Sequence, residues 1–152
     1  MKAILKYTTT VLLAGTLVAC AATPNVQEMN QLSKSELMEV LSGNTLQLPT
    51  DWGQWTELFS KDLATSDATA VGSGFNEVVT GVNKISDGGE VCSIYEGPYK
   101  WSKPEWEYCG TFHTNAQGQF FTKVTQNNRR PEIVGKVRSF TIEKGNPNDL
   151  RS

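Results

Sequence analysis

The hydrophobic pattern changes period once along the chain. Ser33-Lys34-Ser35-Glu36 has the spacing of a capping box, with Ser33 as N-cap and Glu36 at the third helical position. Leu37, Val40 and Leu41 then recur on one face at helical spacing, and Gly43 stands where a left-handed C-terminal cap belongs. The pattern therefore predicts one short helix. Beyond Gly43 the period becomes that of strands. Residues 45–48, 54–60 and 69–73 read as short extended segments, divided by Pro49, Asp51, Gly53 and Lys61-Asp62. Residues 75–85 are rich in Val and Thr and carry Gly81, which predicts a bulge or bend. Asp87-Gly88-Gly89 turns the chain into 90–95, and strands follow at 106–112, 119–126 and 133–143. The expected fold is mainly β: one short N-terminal helix, then a seven- to eight-stranded antiparallel meander. Such a meander curls into a small barrel or a lipocalin-like sandwich.

Ahead of this domain lies a segment of another kind. Residues 1–7 carry Lys2 and Lys6 with no acid, and residues 8–19 are uncharged and mostly apolar. The stretch is too short to cross a bilayer but suits a secretory signal. It ends Leu17-Val18-Ala19-Cys20, which resembles the lipobox of bacterial lipoproteins. An ordinary signal peptide also ends on small residues, so the cysteine decides between the two. The resemblance implies cleavage after Ala19, a diacylglycerol thioether on Cys20 and an acylated new amino terminus. Three acyl chains at about 0.8 kcal/mol per buried methylene would anchor the protein for good. Ala21, where retained inner-membrane lipoproteins carry Asp, implies the outer membrane, facing the periplasm. The expected organisation is a signal peptide at 1–19, a lipid-anchored flexible tether at 20–32, a single β domain at 33–145 and a loose tail at 146–152.

Charge narrows the partners. The 152 residues hold 14 Lys plus Arg against 16 Asp plus Glu. Removal of residues 1–19 takes away two lysines and no acid, leaving 12 basic and 16 acidic side chains, a net of −4. That balance argues against nucleic acid as a partner and against a basic patch lying on anionic lipid. Contact with the membrane is expected through the lipid anchor alone.

With Cys20 assigned to lipid, Cys92 and Cys109 remain as an even pair in an oxidising compartment. A structural disulfide between them would be worth about 3 kcal/mol by the chain-entropy estimate. A redox couple would favour Cys-x-x-Cys spacing. A thiolate zinc site would need more Cys or His than the single His113 supplies. No metal ligand set, phosphate loop, nucleophile elbow or haem signature is visible, and no cofactor is expected. His113, just past Phe112, reads as a surface or turn residue. The acids Asp87, Glu90, Glu105 and Glu107 are the candidates for any hydrolase chemistry, with Asp87 and Glu90 otherwise simple turn residues.

The strongest local feature is aromatic. Tyr95, Tyr99, Trp101, Trp106, Tyr108 and Phe112 crowd one stretch, and Trp52 with Trp55 forms a second group. Such rings suit a sugar, an apolar ligand or a partner surface, and equally suit a barrel core. Asn127-Asn128-Arg129-Arg130-Pro131 is a compact basic turn able to meet carboxylate or phosphate groups. Trp52, Trp55, Tyr99, Trp101, Trp106, Arg129 and Arg130 are thus the candidate ligand or partner surface.

The run Leu41-Ser42-Gly43-Asn44-Thr45, then Asp87-Gly88-Gly89-Glu90-Val91-Cys92, and a second cysteine after an aromatic loop resembles the small exported bacterial domains grouped as domain of unknown function 995. The resemblance spans about residues 35–126. It implies a compact β domain with paired cysteines and carries no activity with it. The expected function is a non-enzymatic envelope lipoprotein that binds a small apolar or sugar ligand or an envelope protein. A structural or stress-related lipoprotein without a ligand, and a hydrolase of cell-wall polymers, are the alternatives. An apolar carrier predicts an open barrel lined by Trp52, Trp55, Trp101 and Trp106, whereas a partner-facing module predicts a filled barrel with those rings outside.

Overall fold

Side chains alternate in and out along nearly every strand of the protein, and that alternation places both its core and its cavity. The computed structural model describes residues 28–73, 75–96, 105–147 and 150. Residues 1–27, and with them Cys20 and most of the expected tether, lie outside the described residues, as does the segment 97–104 with Tyr99 and Trp101.

The helix forms where the capping signals put it. In α1 (Lys34–Leu41), Ser33 Oγ accepts from the Glu36 backbone N–H at 3.4 Å, and Glu36 Oε2 accepts from the Ser33 N–H at 2.7 Å. Two N–H groups that no helical carbonyl can reach are thereby satisfied. Gly43, at φ +66°, ends the helix in the left-handed conformation. Leu37 and Leu41, four residues apart, are wholly buried.

Nine strands follow the register of hairpins: β1 (Asn30–Gln31), β2 (Thr45–Thr50), β3 (Gly53–Phe59), β4 (Thr65–Gly72), β5 (Phe75–Ile85), β6 (Glu90–Glu96), β7 (Trp106–Thr114), β8 (Phe120–Asn127) and β9 (Val137–Glu143). From β2 to β9 each strand pairs antiparallel with the next, and β9 returns to β2 through Thr45↔Glu143, Leu46↔Ile142 and Gln47↔Thr141. An eight-stranded meander is thus closed into a barrel, which removes the open sheet edges. The short β1 adds to β7 at Asn30↔Thr114 and Gln31↔His113, continuing the ladder beyond Glu90↔Thr111, where β6 begins. Residues 28–32 are therefore docked rather than free: the Leu32 N–H donates to Phe112 O at 2.8 Å and its side chain joins the core.

The interior mixes large and small side chains so that they fit. Trp55, Glu57 and Phe59 of β3 face inward, and the adjacent β4 offers Ser66, Ala68 and Ala70 beside them. Gly81 belongs to the same arrangement. A Cβ there would lie 2.8 Å from Ser66 Oγ and 2.9 Å from Tyr95 Cε1. The bulge expected at Gly81 is absent, since the ladder runs through Ser66↔Gly81 and Gly81↔Tyr95 without a break. What the glycine provides is room for the Tyr95 ring. The register shift falls instead between Cys109 and Gly110.

Other boundaries differ from expectation for identifiable reasons. Pro49 sits inside β2 opposite Gln54, beyond the last β9 pairing at Gln47, where no ladder needs its N–H. β4 begins at Thr65, because its first inward residues, Ser66 and Ala68, are too small and polar to show as a hydrophobic signal. β9 begins at Val137; Pro131–Ile133 form a 3-10 turn and Gly135, at φ +86°, reverses the chain before the strand.

Alternation also puts the two cysteines outside. Val91 and Ser93 face in, so Cys92 faces out, directly opposite Cys109 with 4.0 Å between Cα atoms, and the two are disulfide bonded. The pair staples neighbouring strands and leaves the interior untouched.

The barrel has two unlike ends. α1 and the connections 60–64, 86–89 and 115–119 gather at one, where Leu37, Leu41 and Leu63 join Phe59 in the core. The turn 51–52 and the connection 128–136 lie at the other.

Candidate functional site

A cavity of about 60 Å³ opens at the end away from α1. Its walls are Leu46, Leu48 and Phe112 together with the rings of Trp52, Trp55, Tyr95, Trp106 and Tyr108. Arg130, Ile133 and Arg138 stand at the rim, and Glu57 lies two residues deeper along β3 than Trp55. Pockets for drug-sized ligands occupy about 300–1,000 Å³. This one has room for a few waters or a small organic fragment, and none for an acyl chain.

The aromatic layer is tightly built. Trp55 meets Tyr95 edge to face at 5.1 Å between centroids and Trp106 likewise at 5.3 Å, while Tyr95 and Trp106 lie 5.0 Å apart. Their period-2 positions explain the meeting, because Tyr95 and Trp106 are register partners and Trp55 faces them across the interior.

Below the rings is a buried carboxyl. Glu57 is 4% exposed and accepts from Trp55 Nε1 at 3.0 Å, from Ser66 Oγ at 2.6 Å and from Tyr95 OH at 2.9 and 3.0 Å to its two oxygens. Burial pushes its pKa above the ordinary carboxylate value; the Ser66, Trp55 and Tyr95 hydrogen bonds pull the other way and only partly compensate. Burial, and then the carboxyl itself, raises the Tyr95 phenol well above its usual value. Among the described residues, hydrogen bonds rather than a paired cation hold this acid in place.

The rim is charged. Asp51, on the turn between β2 and β3, takes Arg130 in a two-pronged contact, Nη1 to Oδ1 at 3.2 Å and Nη2 to Oδ2 at 2.9 Å. Arg138 Nη2 reaches the same carboxylate at 3.2 Å, and Arg130 Nε also donates to Glu132 at 2.8 Å. The Arg130 guanidinium holds the Asp51 carboxyl far below its usual range. Arg129 lies with its guanidinium 5.7 Å from the Trp106 ring centroid.

Asn127 completes the site. Its Oδ1 accepts from Trp106 Nε1 at 3.3 Å and from the backbone N–H groups of Arg129 and Arg130 at 3.0 and 2.8 Å. Three donors fix which end of the amide is oxygen. Its Nδ2 is consequently a buried donor, and it has no hydrogen-bond partner among the described residues.

Of the residues singled out from the sequence, Trp52, Trp55, Trp106 and Arg130 line this cavity, and Arg129 packs on Trp106. Glu57 and Arg138 were not foreseen, and Asn127 was named only as part of the basic turn 127–131. A signal for the first two was available: Glu57 alternates with Trp55 and Phe59, and Arg138 with Phe140 and Ile142. A charged residue in step with core positions marks an acid or base turned inward. The other acids fall elsewhere. Asp87, Glu90, Glu105 and Glu107 do not line the cavity; Asp87 makes an exposed 3.8 Å contact with Lys34, and Glu90 accepts from Thr125 Oγ1 at 2.6 Å.

His113 corrects the reading of a turn residue. It lies within β7, 6% exposed, on the outer face and opposite Gln31 of the neighbouring β1, with Nε2 2.9 Å from Thr111 Oγ1. Burial and the nearby Lys123 charge lower its pKa. Among the described residues, no three His, Cys, Asp or Glu side chains gather as a metal site would need. No family model, no curated protein and no solved structure matches the chain.

Proposed function

We propose that the barrel is a non-enzymatic binding module for a small ligand, held at the bacterial envelope by a lipid on Cys20. The observation that carries this reading is the aromatic cavity itself. It is open at one end, walled by rings, and supplied at its rim with hydrogen-bond donors. Glu57 is its sole carboxyl among the described lining residues, which favours binding over hydrolysis by an acid pair.

The two ends of the barrel suit a tethered receptor. The chain enters at the α1 end, where β1 docks, while the cavity opens at the opposite end. Eight residue steps separate Cys20 from Glu28, a reach of at most about 28 Å. In this reading the mouth points away from the membrane, into the periplasm.

Native mass spectrometry of the protein extracted in mild detergent, without reduction, tests both parts. The expected mass is that of the chain without residues 1–19, carrying three acyl groups and a reproducible small-molecule adduct. The adduct should disappear in Thr122→Leu, which grows into the cavity. An unmodified Cys20 would overturn the anchor, and a folded acylated chain with no adduct would overturn the ligand.

A further inference from the structure

We infer that the cavity takes a small organic anion, a compact carboxylate whose acid group sits between Arg130 and Arg138 and whose apolar body lies against the Trp52, Trp55 and Trp106 rings. The inference rests on the small-ligand reading above and names the chemistry of that ligand.

Three observations converge on it. The charged side chains among the described lining residues are Glu57, Arg130 and Arg138. Glu57 has its oxygens occupied by three protein donors and sits where burial disfavours its ionised form. The wall therefore presents two guanidinium groups and one carboxyl whose oxygens are already taken up by protein donors, and a low-dielectric cleft focuses the field of the guanidiniums.

The second observation is Asp51. This carboxylate, half exposed on a two-residue turn, already receives N–H groups from both arginines. The arginines are thus poised at the spacing a single carboxylate needs, and the acid that holds them is at the protein's edge rather than inside the cavity. A ligand acid entering from the mouth would take over donors that Asp51 now shares. The third is the Nδ2 of Asn127, a buried donor in the cavity lining with no acceptor among the described residues. An unmatched buried donor keeps its desolvation cost uncompensated, so an acceptor-rich ligand recovers stability on binding.

Other ligand classes fit less well. A cation would meet Arg130 and Arg138, and a neutral hydrocarbon would leave Asn127 unmatched. A sugar needs many polar partners, whereas the walls are mostly rings and aliphatic side chains. Volume sets the size, since about 60 Å³ accommodates a few heavy atoms below the rim.

The experiment is a titration of the detergent-solubilised full lipoprotein with butyrate and benzoate, and with butyramide and benzamide, followed by tryptophan fluorescence. Each acid should bind at least tenfold more tightly than its amide. Asp51→Asn, which removes the competing carboxylate charge, should tighten the acids several-fold and leave the amides unchanged. Arg138→Met should bring the acids down to the amides, and Arg138→Lys should recover part of the difference. Amides that bind as well as acids would overturn the anion inference and leave the small-ligand reading intact. If none of the four binds, both fall. Should Arg138→Met fail to fold, an unchanged acid affinity in Asp51→Asn would overturn the inference by itself.

Discussion

At the α1 end of the barrel, Leu37, Leu41 and Leu63 are at most 1% exposed, whereas at the other end Trp52, Arg130 and Arg138 share the rim of a cavity with Asp51 and an unmatched Asn127 amide nearby. The first end is apolar, filled by these leucines, and covered by a helix two of whose terminal N–H groups are met by its capping box. Leu63 even accepts a left-handed backbone, φ +58°, to put its side chain into the core, a conformation costing about 1–2 kcal/mol. Among the described residues, the second end keeps an unmatched donor, Asn127 Nδ2, in the lining of an open cavity, whereas the unmatched buried atoms toward the α1 end, Asn83 Nδ2 and His113 Nδ1, line no part of it. One end is arranged for stability and the other for a guest, and the boundary between them is the layer of Glu57 and its three donors.

That contrast breaks most easily at the filled end. Leu41→Ala should cost about 2–5 kcal/mol, the range for emptying a packed apolar site. Arg138→Met, at the rim, should cost far less while abolishing the preference for acids. Urea unfolding of the two variants beside the parent decides the matter. Equal losses would mean that the rim is as much a part of the structural core as the helix, and the division between the ends would not stand.

How far the sequence revealed these ends depended on what each uses. The helix was legible to the residue, because Ser33, Glu36, Leu37, Leu41 and Gly43 are local signals that tertiary structure did not override. The strands of the barrel were legible too, through Gly and Asp turns, as was the pairing of Cys92 with Cys109, whereas the two-residue β1 was read as part of the tether. The start of β4 was not, because Ser66 and Ala68 are chosen for small size beside Glu57 and Phe59, a requirement that exists only once the barrel closes. Gly81 was noticed for the wrong reason, since its need is space for a ring fourteen residues away. The aromatic part of the site showed in composition, but its floor and half its rim came from single polar residues in step with core positions. Residues of that kind look like solvent-facing ones until the inward face of each strand is known.

The boundary layer gives the next prediction, in pH. Burial holds the Glu57 pKa above its ordinary 4.5. Below that value the folded and unfolded chains both keep the proton. As pH rises past it the unfolded chain releases the proton first, so stability falls until the folded carboxyl ionises as well. The slope is at most about 1.4 kcal/mol per pH unit. Glu57→Gln removes this loss, so its stability relative to the parent should grow between pH 5 and pH 7.5. His113, held below its ordinary 6.5, acts in the opposite sense, destabilising the fold as pH drops. It is present in both proteins and cancels in the difference. Parallel stability curves for parent and variant would show that Glu57 is ionised in the fold and that its three donors at least offset its burial.

The smallest effect concerns how the filled end is fastened. Ser33 Oγ and the Glu36 carboxylate each accept from the other's backbone N–H at the start of α1, and the Ser33 hydroxyl and N–H, both donating to that carboxylate, lower the Glu36 pKa. Loss of an N-cap hydroxyl costs about 1 kcal/mol. Ser33→Ala should therefore lower stability by about that amount, well under the loss from Leu41→Ala, because the helix is held mainly by Leu37 and Leu41 and only trimmed by its cap. Ligand affinity at the far end should not change, as the cap lies across the barrel from the rim. A loss of affinity accompanying the small loss of stability would mean that α1 and the rim move as one unit. In that case the two ends would be coupled through the Glu57 layer instead of separated by it.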